Sequence, residues 1–569
     1  MIDNIKQLLA KHHIVDVDLT KPPKPEMGDF AFACFATAKE QGKNPAEVAR
    51  ELAEKLNAER ETGNGMIADI KAFGPYVNFF LDPATVAETV LDAINDAYGH
   101  IGAGKGKEII VEFGCPNPLK AMHLGHLKNL ITGEAVSRVL ENAGHNVIRV
   151  NYQGDVGMQI AKAVWGIMDW KEEFVAMQKA SLSERVEFLG KAYAHGATMY
   201  EEDEAIKQEI IAYNDQVYER SSDEVNEVYT KARQWSLDYF ETIYAKLGAR
   251  FDEYYFESEM FVRGVEIVKE YQAKGIFRES EGAIIFPGSE HGLHDRVFIN
   301  SKGFPTYEAK ELALAEMRGK KHQGVPVIHV VGKEQTEYFN VVFAAMRAMG
   351  WEQGNIDQHL PGGFLQLKGE QKMSSRKGNV ITGEELLNMV RTQVEELMNN
   401  SEIAKDHGEK SDNMLDIITD AALTYSMLKA DIRKDIAFDL KESISTQGDS
   451  GPYLLYIVAR INSILGKAEG ERGNGKVPDT IHPTEKALLL TLAEFPSITE
   501  KSAVELDPSH IARYIFGLAQ QFNGFYEHCP VVKEENVVTK QFRLSLISSI
   551  RTVMVRGLDI LGIQTVEHM

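Results

Sequence analysis

Apolar residues fall at helical spacing through the opening MIDNIKQLLAKHH and again through NPAEVARELAEKL, whereas GPYVNFFL is a mainly apolar run of strand length. With a KPPKPEMGDFAF loop between the helical stretches, the chain up to about Asp82 predicts helix, loop, helix and strand, a small α/β unit. A further helix ending near Tyr98 runs into the glycine-rich HIGAGKGKE, which reads as a linker, so a second domain is predicted to begin near Lys107.

From there strand and helix alternate. IIVEF has the composition of a buried parallel strand, HLGHLKNLITGEAVSRVLENAG that of a helix stopped at Gly144, and NVIRVNY that of a second strand. This rhythm predicts a doubly wound parallel sheet. The chain from about Asp155 to Tyr244 is nearly all helical and heavily charged, an insertion at about 155–245, after which AIIFP, VFINS and VPVIHVVG are expected to resume the sheet. Beyond Thr382 the strand pattern gives way to amphipathic helices such as LLNMVRTQVEELM, DAALTYSMLKADI and PYLLYIVARINSIL. The expected layout is an α/β domain over 1–106, an interrupted Rossmann-like α/β domain over 107–384 and an all-α bundle over 385–569.

At 569 residues and 44% hydrophobic content, the chain exceeds one ordinary core, in keeping with several domains. No apolar run is long enough to cross a bilayer, and the opening residues lack the apolar core and cleavage site of an export signal, so a cytoplasmic protein is expected. Cys34, Cys115 and Cys529 form no CxxC pair and signal neither a disulfide framework nor a structural zinc site, which leaves buried, reduced thiols. With 62 basic against 84 acidic side chains the net charge is −22, which argues against a protein that coats nucleic acid indiscriminately. Shape-selective RNA binding through local basic patches stays open.

Two segments carry chemistry. His123, Leu124, Gly125 and His126 stand just after IIVEF, at the start of the predicted helix. Ligands of doubly wound sheets bind at such junctions, where a helix N-terminus offers unpaired N–H groups and partial positive charge to phosphate oxygens. The two imidazoles add donors on one side, and Gly125 leaves room for a flat base; taken alone, the pair is equally well explained by chance. The second segment, KMSSRKGN from Lys372 to Asn379, follows FLQLKGE and joins cations, serine and glycine in a loop able to close over a triphosphate. Cations that meet the phosphates more strongly as charge moves to the leaving pyrophosphate lower the barrier differentially. A solvated charged loop is the plainer alternative.

An HxGH after the first strand and a KMSS after the last resemble the two signatures of class I aminoacyl-tRNA synthetases. The resemblance to the arginyl branch runs through nearly the whole chain: VEFGCPNPLKAMHLGH, NYQGDVGMQ, FDEYYFES, PTYEAKE, VVGKEQ, IAFDL and GDSGPYLLYIVARINSIL. It implies a class I Rossmann-like fold and ATP-dependent activation of L-arginine to the adenylate, with Mg²⁺ carried by the ATP. Transfer to tRNA(Arg) follows, and the activation itself requires tRNA. No covalent enzyme intermediate is needed, so catalysis rests on positioning and charge stabilisation. The resemblance implies His123, His126, Lys372 and Lys120 as catalytic residues, and His123, Gly125, His126, Lys372, Met373, Ser374 and Ser375 as the ATP site. Ser375 stands where many class I enzymes carry a second lysine, and Lys120 holds the place from which arginyl enzymes with that loss make up the phosphate contact.

For the amino acid, the resemblance implies Glu112 and Asn117 at the α-amino and carboxylate ends, Glu257 and Glu311 at the guanidinium, and Tyr307 and Gln335 as pocket wall. Acids with bidentate reach can select a planar guanidinium over the point charge of lysine. Glu311 departs from the family's aspartate by one methylene. Read singly, Glu112 and Glu257 could be surface acids, Tyr307 a core aromatic and Gln335 a helix-capping amide. The N-terminal unit is similar to the family's tRNA-elbow domain, whose base-contacting positions match Tyr76 and Asn78; both could equally end a sheet strand. The C-terminal helices are similar to its anticodon-binding domain, and a monomer is expected.

Among rivals, a cysteinyl enzyme would need clustered zinc ligands, and the valine, isoleucine and leucine enzymes a longer editing insertion. An acidic pocket argues against the glutamyl and glutaminyl enzymes, while a class I lysyl enzyme stays possible. Small nucleotidyltransferases share HxGH but lack helical tRNA-reading domains, and two intact phosphate motifs disfavour a non-catalytic RNA-binding descendant.

Overall fold

The computed structural model describes residues 2–15, 17–59, 65–369, 381–399, 411–468, 476–567 and 569. The chain forms two compact units, neither continuous in sequence. Met1–Tyr98, Ile461–Phe495 and Gly517–Met554 make one; Gly99–Arg460, Pro496–Phe516 and Val555–Met569 make the other.

In the first unit, strands Phe30–Ala33 and Tyr76–Leu81 are the inner pair of a four-stranded antiparallel sheet, flanked by Leu19–Thr20 and Ile67–Phe73. Helix Pro45–Glu59 packs on it through Val48, Leu52 and Leu56, residues at i, i+4 and i+8 of one face. The end of the expected KPPKPEMGDFAF loop is therefore a strand. Its proline and glycine mask this locally, and pairing of Phe30 with Phe79 and Phe32 with Val77 supplies the missing order. Stretches of C-terminal helix complete the unit: Tyr98 stacks on Phe495 with ring centroids 6.2 Å apart, and Lys486 pairs with Asp29 at 2.7 Å.

The second unit is built on a five-stranded parallel sheet in the order Gln358–Gly362, Val327–Gly332, Glu108–Phe113, Asn146–Gln153, Glu253–Phe256. Helix Leu124–Asn142 follows the central strand and lies so close to it that a Cβ on Gly133 would fall 2.1 Å from Phe113. Gly144, at φ +87°, marks the stop expected of it. The expected insertion is five helices, from Met158–Asp169 to Asp223–Lys246, with a core that includes Val164, Ile167, Phe188, Tyr229 and Trp235.

Two expectations are corrected here. Ala283–Phe286 and Arg296–Ile299 do not rejoin the parallel sheet; with Arg278–Ser280 they form a separate antiparallel sheet, because their short connections cannot hold a crossover helix. Val327–Gly332 does rejoin it. Leu365–Leu367 pairs with Ile436–Phe438, a strand inside the region expected to be wholly helical. Among the described residues the elements of that region are otherwise helices, from Gly383–Asn399 to Val537–Ile560, and they contribute to both units. The three cysteines are free, Cys34 and Cys529 buried and Cys115 partly so. Among the described residues no helix is long and apolar enough to cross a membrane.

Candidate active site

The central strand ends at Phe113, and before His123 the chain passes through Cys115 at φ +47° and Leu119 at φ +61°. Left-handed backbone at non-glycine residues costs about 1–2 kcal/mol each. The insertion helps hold the loop there: the Leu119 N–H donates to Ser236 Oγ at 2.9 Å.

His123 caps the helix that follows. Its Nδ1 accepts the His126 N–H at 3.3 Å, which leaves Nε2 as the protonated, donating nitrogen. The two imidazoles stack with centroids 3.6 Å apart and planes at 18°. A Cβ on Gly125 would lie 3.0 Å from the His123 ring, so this glycine makes room for the imidazole rather than directly for a base. Burial, then Lys120, holds the His123 pKa down to about 4, and burial, then His123 and Lys120, holds His126 well below its ordinary value. Burial also lowers Lys120, whose ammonium stands 5.5 Å over the Tyr193 ring. At neutral pH the turn thus offers neutral N–H donors beside one ammonium.

Lys372, Met373, Ser374 and Ser375 lie outside the described residues. Just beyond them, Thr382 bridges to His123, and the Gly383 N–H donates to the Met122 carbonyl at 2.7 Å. The chain that leaves the KMSS segment is therefore fastened to the histidine turn.

The acids come together from one strand and two helices: Glu112 from Glu108–Phe113, Glu257 from Glu257–Ala273 and Glu311 from Tyr307–Lys321. Glu112, 2% exposed, accepts from Arg318 and, at 2.8 Å, from His329 Nδ1. Burial pushes its carboxyl up, but Arg318 and His329 outweigh this and hold it below the usual range. Glu311 accepts from Arg318 at 3.1 Å and from the Tyr338 hydroxyl at 3.3 Å; burial, then Glu112, raises its pKa. Ligand atoms of Glu112, Glu311 and His329 lie within 4.8 Å of one another, a spacing suited to a cation, and the Arg318 guanidinium already bonds both carboxylates.

Glu257 opens the helix that follows the outer strand and is 5% exposed. Its Oε2 is paired with Lys310, and burial raises its pKa against that pairing. Across from it, a Cβ on Gly154 would fall 2.5 Å from Asn117 Oδ1 and 3.3 Å from Glu257 Oε1, so the glycine lets these side chains converge. Tyr307 is an exposed ring with the Lys310 ammonium 4.5 Å from its centroid. Gln335 stands exposed beyond Val327–Gly332, at a helix N-cap position where its side chain makes no cap bond. Glu112 and Glu257 are thus not surface acids, Tyr307 is not core, and Gln335 is not a capping amide.

The family model for the class I (R) tRNA synthetase catalytic domain matches residues 89–440, that for the arginyl tRNA synthetase N terminal domain 1–81, and that for the DALR anticodon binding domain 454–569. The chain belongs to the class I arginyl-tRNA synthetase family. It is 32% identical to an arginine–tRNA ligase of Treponema denticola over 97% of this chain and 95% of that one. With an arginine–tRNA ligase of Clostridium perfringens the identity is 33%, over 99% and 100%. The arginyl-tRNA synthetase of Thermus thermophilus superposes with a TM-score of 0.77 at 26% identity, covering 100% of this chain and 99% of that one. A methionyl-tRNA synthetase of Mycobacterium tuberculosis, at 13% identity and a TM-score of 0.51 over 80% and 91%, shares the fold.

In this arginyl-tRNA synthetase family member, several positioning residues escaped the sequence reading. Asp155, inside NYQGDVG, is fully buried and accepts from the Ser258 N–H at 2.8 Å, Tyr229 at 3.0 Å and Arg233 at 2.9 Å, which pins the helix carrying Glu257. Arg318 was legible only as a cation two turns after Glu311 on one helix. In the N-terminal unit, Tyr76 is 37% exposed and meets Phe35 edge-on. Asn78 departs from the expected base contact: it is 1% exposed and donates to the Met27 carbonyl at 2.7 Å, bracing the MGDF turn.

Proposed function

We propose that this enzyme activates L-arginine with ATP, only when tRNA is bound, and transfers the arginyl group to tRNA(Arg). The observation that carries the reading is the gathering of buried Glu112, at the end of the strand that leads to the His123–His126 turn, with Glu257, at the first position after the outer strand, and Glu311, from helix Tyr307–Lys321: an acid-lined seat for a cation beside donors for an anion.

In the proposed reaction an arginine carboxylate oxygen forms a bond to the α-phosphorus while the bond from that phosphorus to the pyrophosphate oxygen breaks. His123 Nε2–H, His126 and Lys120 donate to phosphate oxygens, with Gly125 keeping the rings stacked, and Lys372 with Met373, Ser374 and Ser375 closes over the leaving group. The fastening of Thr382 to His123 supports that last assignment. Mg²⁺, arriving with ATP, supplies charge neutralisation on the phosphates. Because a guanidinium already bonds Glu112 and Glu311, whereas Glu257 is paired with an ammonium through Oε2, Glu257 is the first choice for the substrate guanidinium, with Glu311 contributing field and Tyr307 and Gln335 forming the wall. Asn117 and Glu112 attend the α-carboxylate and α-amino ends.

Residues 1–106 with exposed Tyr76 would meet the tRNA elbow, 107–384 perform the chemistry and 385–569 meet the anticodon. Asn78 would act through the turn it braces. A monomer working in the cytoplasm completes the reading. Arginine-dependent exchange of pyrophosphate into ATP tests it: exchange is expected with tRNA and not without. Equal exchange in both removes the tRNA requirement, and none in either removes the function.

A further inference from the structure

The two oxygens of Glu257 are not equivalent. Oε2 is held by the Lys310 ammonium, whereas Oε1 lies towards Gly154 and Asn117. The side chains of Lys310 and Glu257 are 4% and 7% exposed, and the ammonium stands over the Tyr307 ring. A buried carboxylate edge beside an aromatic face is the environment a cationic ligand seeks, and here a residue of the protein occupies it. Around it, Glu112 and Glu311 share the Arg318 guanidinium, the His329 imidazole adds a bond to Glu112, and Lys310 alone is paired with Glu257. The Tyr152 hydroxyl is buried among these groups with no hydrogen-bond partner among the described residues, and after burial the three carboxylates are what push its pKa up.

We propose that Lys310 is a resident counter-ion which an incoming guanidinium displaces from Glu257, and that this exchange sets the choice of arginine over lysine. The inference rests on the reading that Glu257 receives the substrate side chain. Exchanging Lys310 for the ammonium of free lysine replaces one point charge by another, with no gain in bonds. A guanidinium makes two parallel bonds, one to each oxygen, and so gains over the ammonium it evicts. Displaced Lys310 keeps its charge over the Tyr307 ring.

The test measures KM for arginine, KM for ATP and inhibition by free lysine in tRNA aminoacylation, using the full chain and its Lys310→Met and Lys310→Arg variants. Lys310→Met should lower KM for arginine about ten-fold and make lysine a competitive inhibitor, because no cation then has to be evicted. Lys310→Arg, which grips Glu257 with its own fork and retains the buried pair, should raise KM for arginine about ten-fold. KM for ATP should not move in either. Should Lys310→Met fail to fold, Lys310→Arg decides: an unchanged KM for arginine, or equal rises for arginine and ATP, overturns the proposal. So does a Lys310→Met enzyme whose KM for arginine is unchanged or raised. If the unaltered protein makes no arginyl-tRNA, the proposed function fails instead.

Discussion

Two neighbouring parts of the parallel-sheet unit handle charge in opposite ways. In the acid cluster each carboxylate already has a cation, Arg318 for Glu112 and Glu311 and Lys310 for Glu257. At the histidine turn the charged groups acting on His126 are His123 and Lys120, and all three have lowered pKa values. Buried imidazoles beside an ammonium are costly to charge, and an anion arriving there lowers that cost. The difference teaches that the acid cluster presents itself to a cation already paired, whereas the histidine turn presents neutral donors and an ammonium to an anion.

The sharpest way to break the comparison is to remove the cation that two acids share. Arg318→Met should cost about 3–5 kcal/mol, read as a fall in the urea midpoint, because it leaves two buried carboxylates facing one another. An unchanged midpoint would mean the cluster does not depend on paired charge. At the other part, His126→Gln should slow arginine-dependent pyrophosphate exchange by about 10²–10³-fold with little change in the urea midpoint, the pattern of a donor aimed at developing charge. Lys120→Ala should reduce exchange by a smaller factor, and an unaltered rate would strip Lys120 of its phosphate role.

A pH titration separates burial from pairing. Burial holds His123 and His359 to about 4, with Lys120 adding to the first, so between the ordinary value of 6.5 and about 4 the unfolded chain binds more protons than the folded one. The contribution of these two histidines to stability should therefore be complete above pH 6.5 and be lost on acidification towards pH 4. His359→Gln should flatten that fall; a slope identical to that of the parent would show that His359 does not contribute. The smallest expected effects lie in the other unit. Tyr76→Ala should weaken tRNA binding by about 1 kcal/mol, a few-fold in KM for tRNA. Asn78→Ala should instead lower stability by about 1 kcal/mol, and the reverse pattern would return Asn78 to the RNA interface.

Much of this was legible because it is local. The stop at Gly144, the buried run IIVEF and the charged helical insertion are patterns within a window of some twenty residues, and the structure repeats them. Phe30–Ala33 was missed because its partner is Tyr76–Leu81, and Ile436–Phe438 because its partner is Leu365–Leu367. At the site, the motifs pointed to His123, His126, Glu112 and Glu257; of the internal cations, Lys310 lay unremarked inside PTYEAKE and Arg318 carried no motif. Arg318 is 206 residues from Glu112 in the chain.

By itself the chain's order of residues determined the alternation of strand and helix, the glycines that admit close packing at Gly133 and Gly154, and the family to which it belongs. Which cation each carboxylate holds was decided only in three dimensions. Charge pairing depends on distances of a few ångströms between side chains brought together by separate strands and helices, and no spacing along the chain encodes those distances.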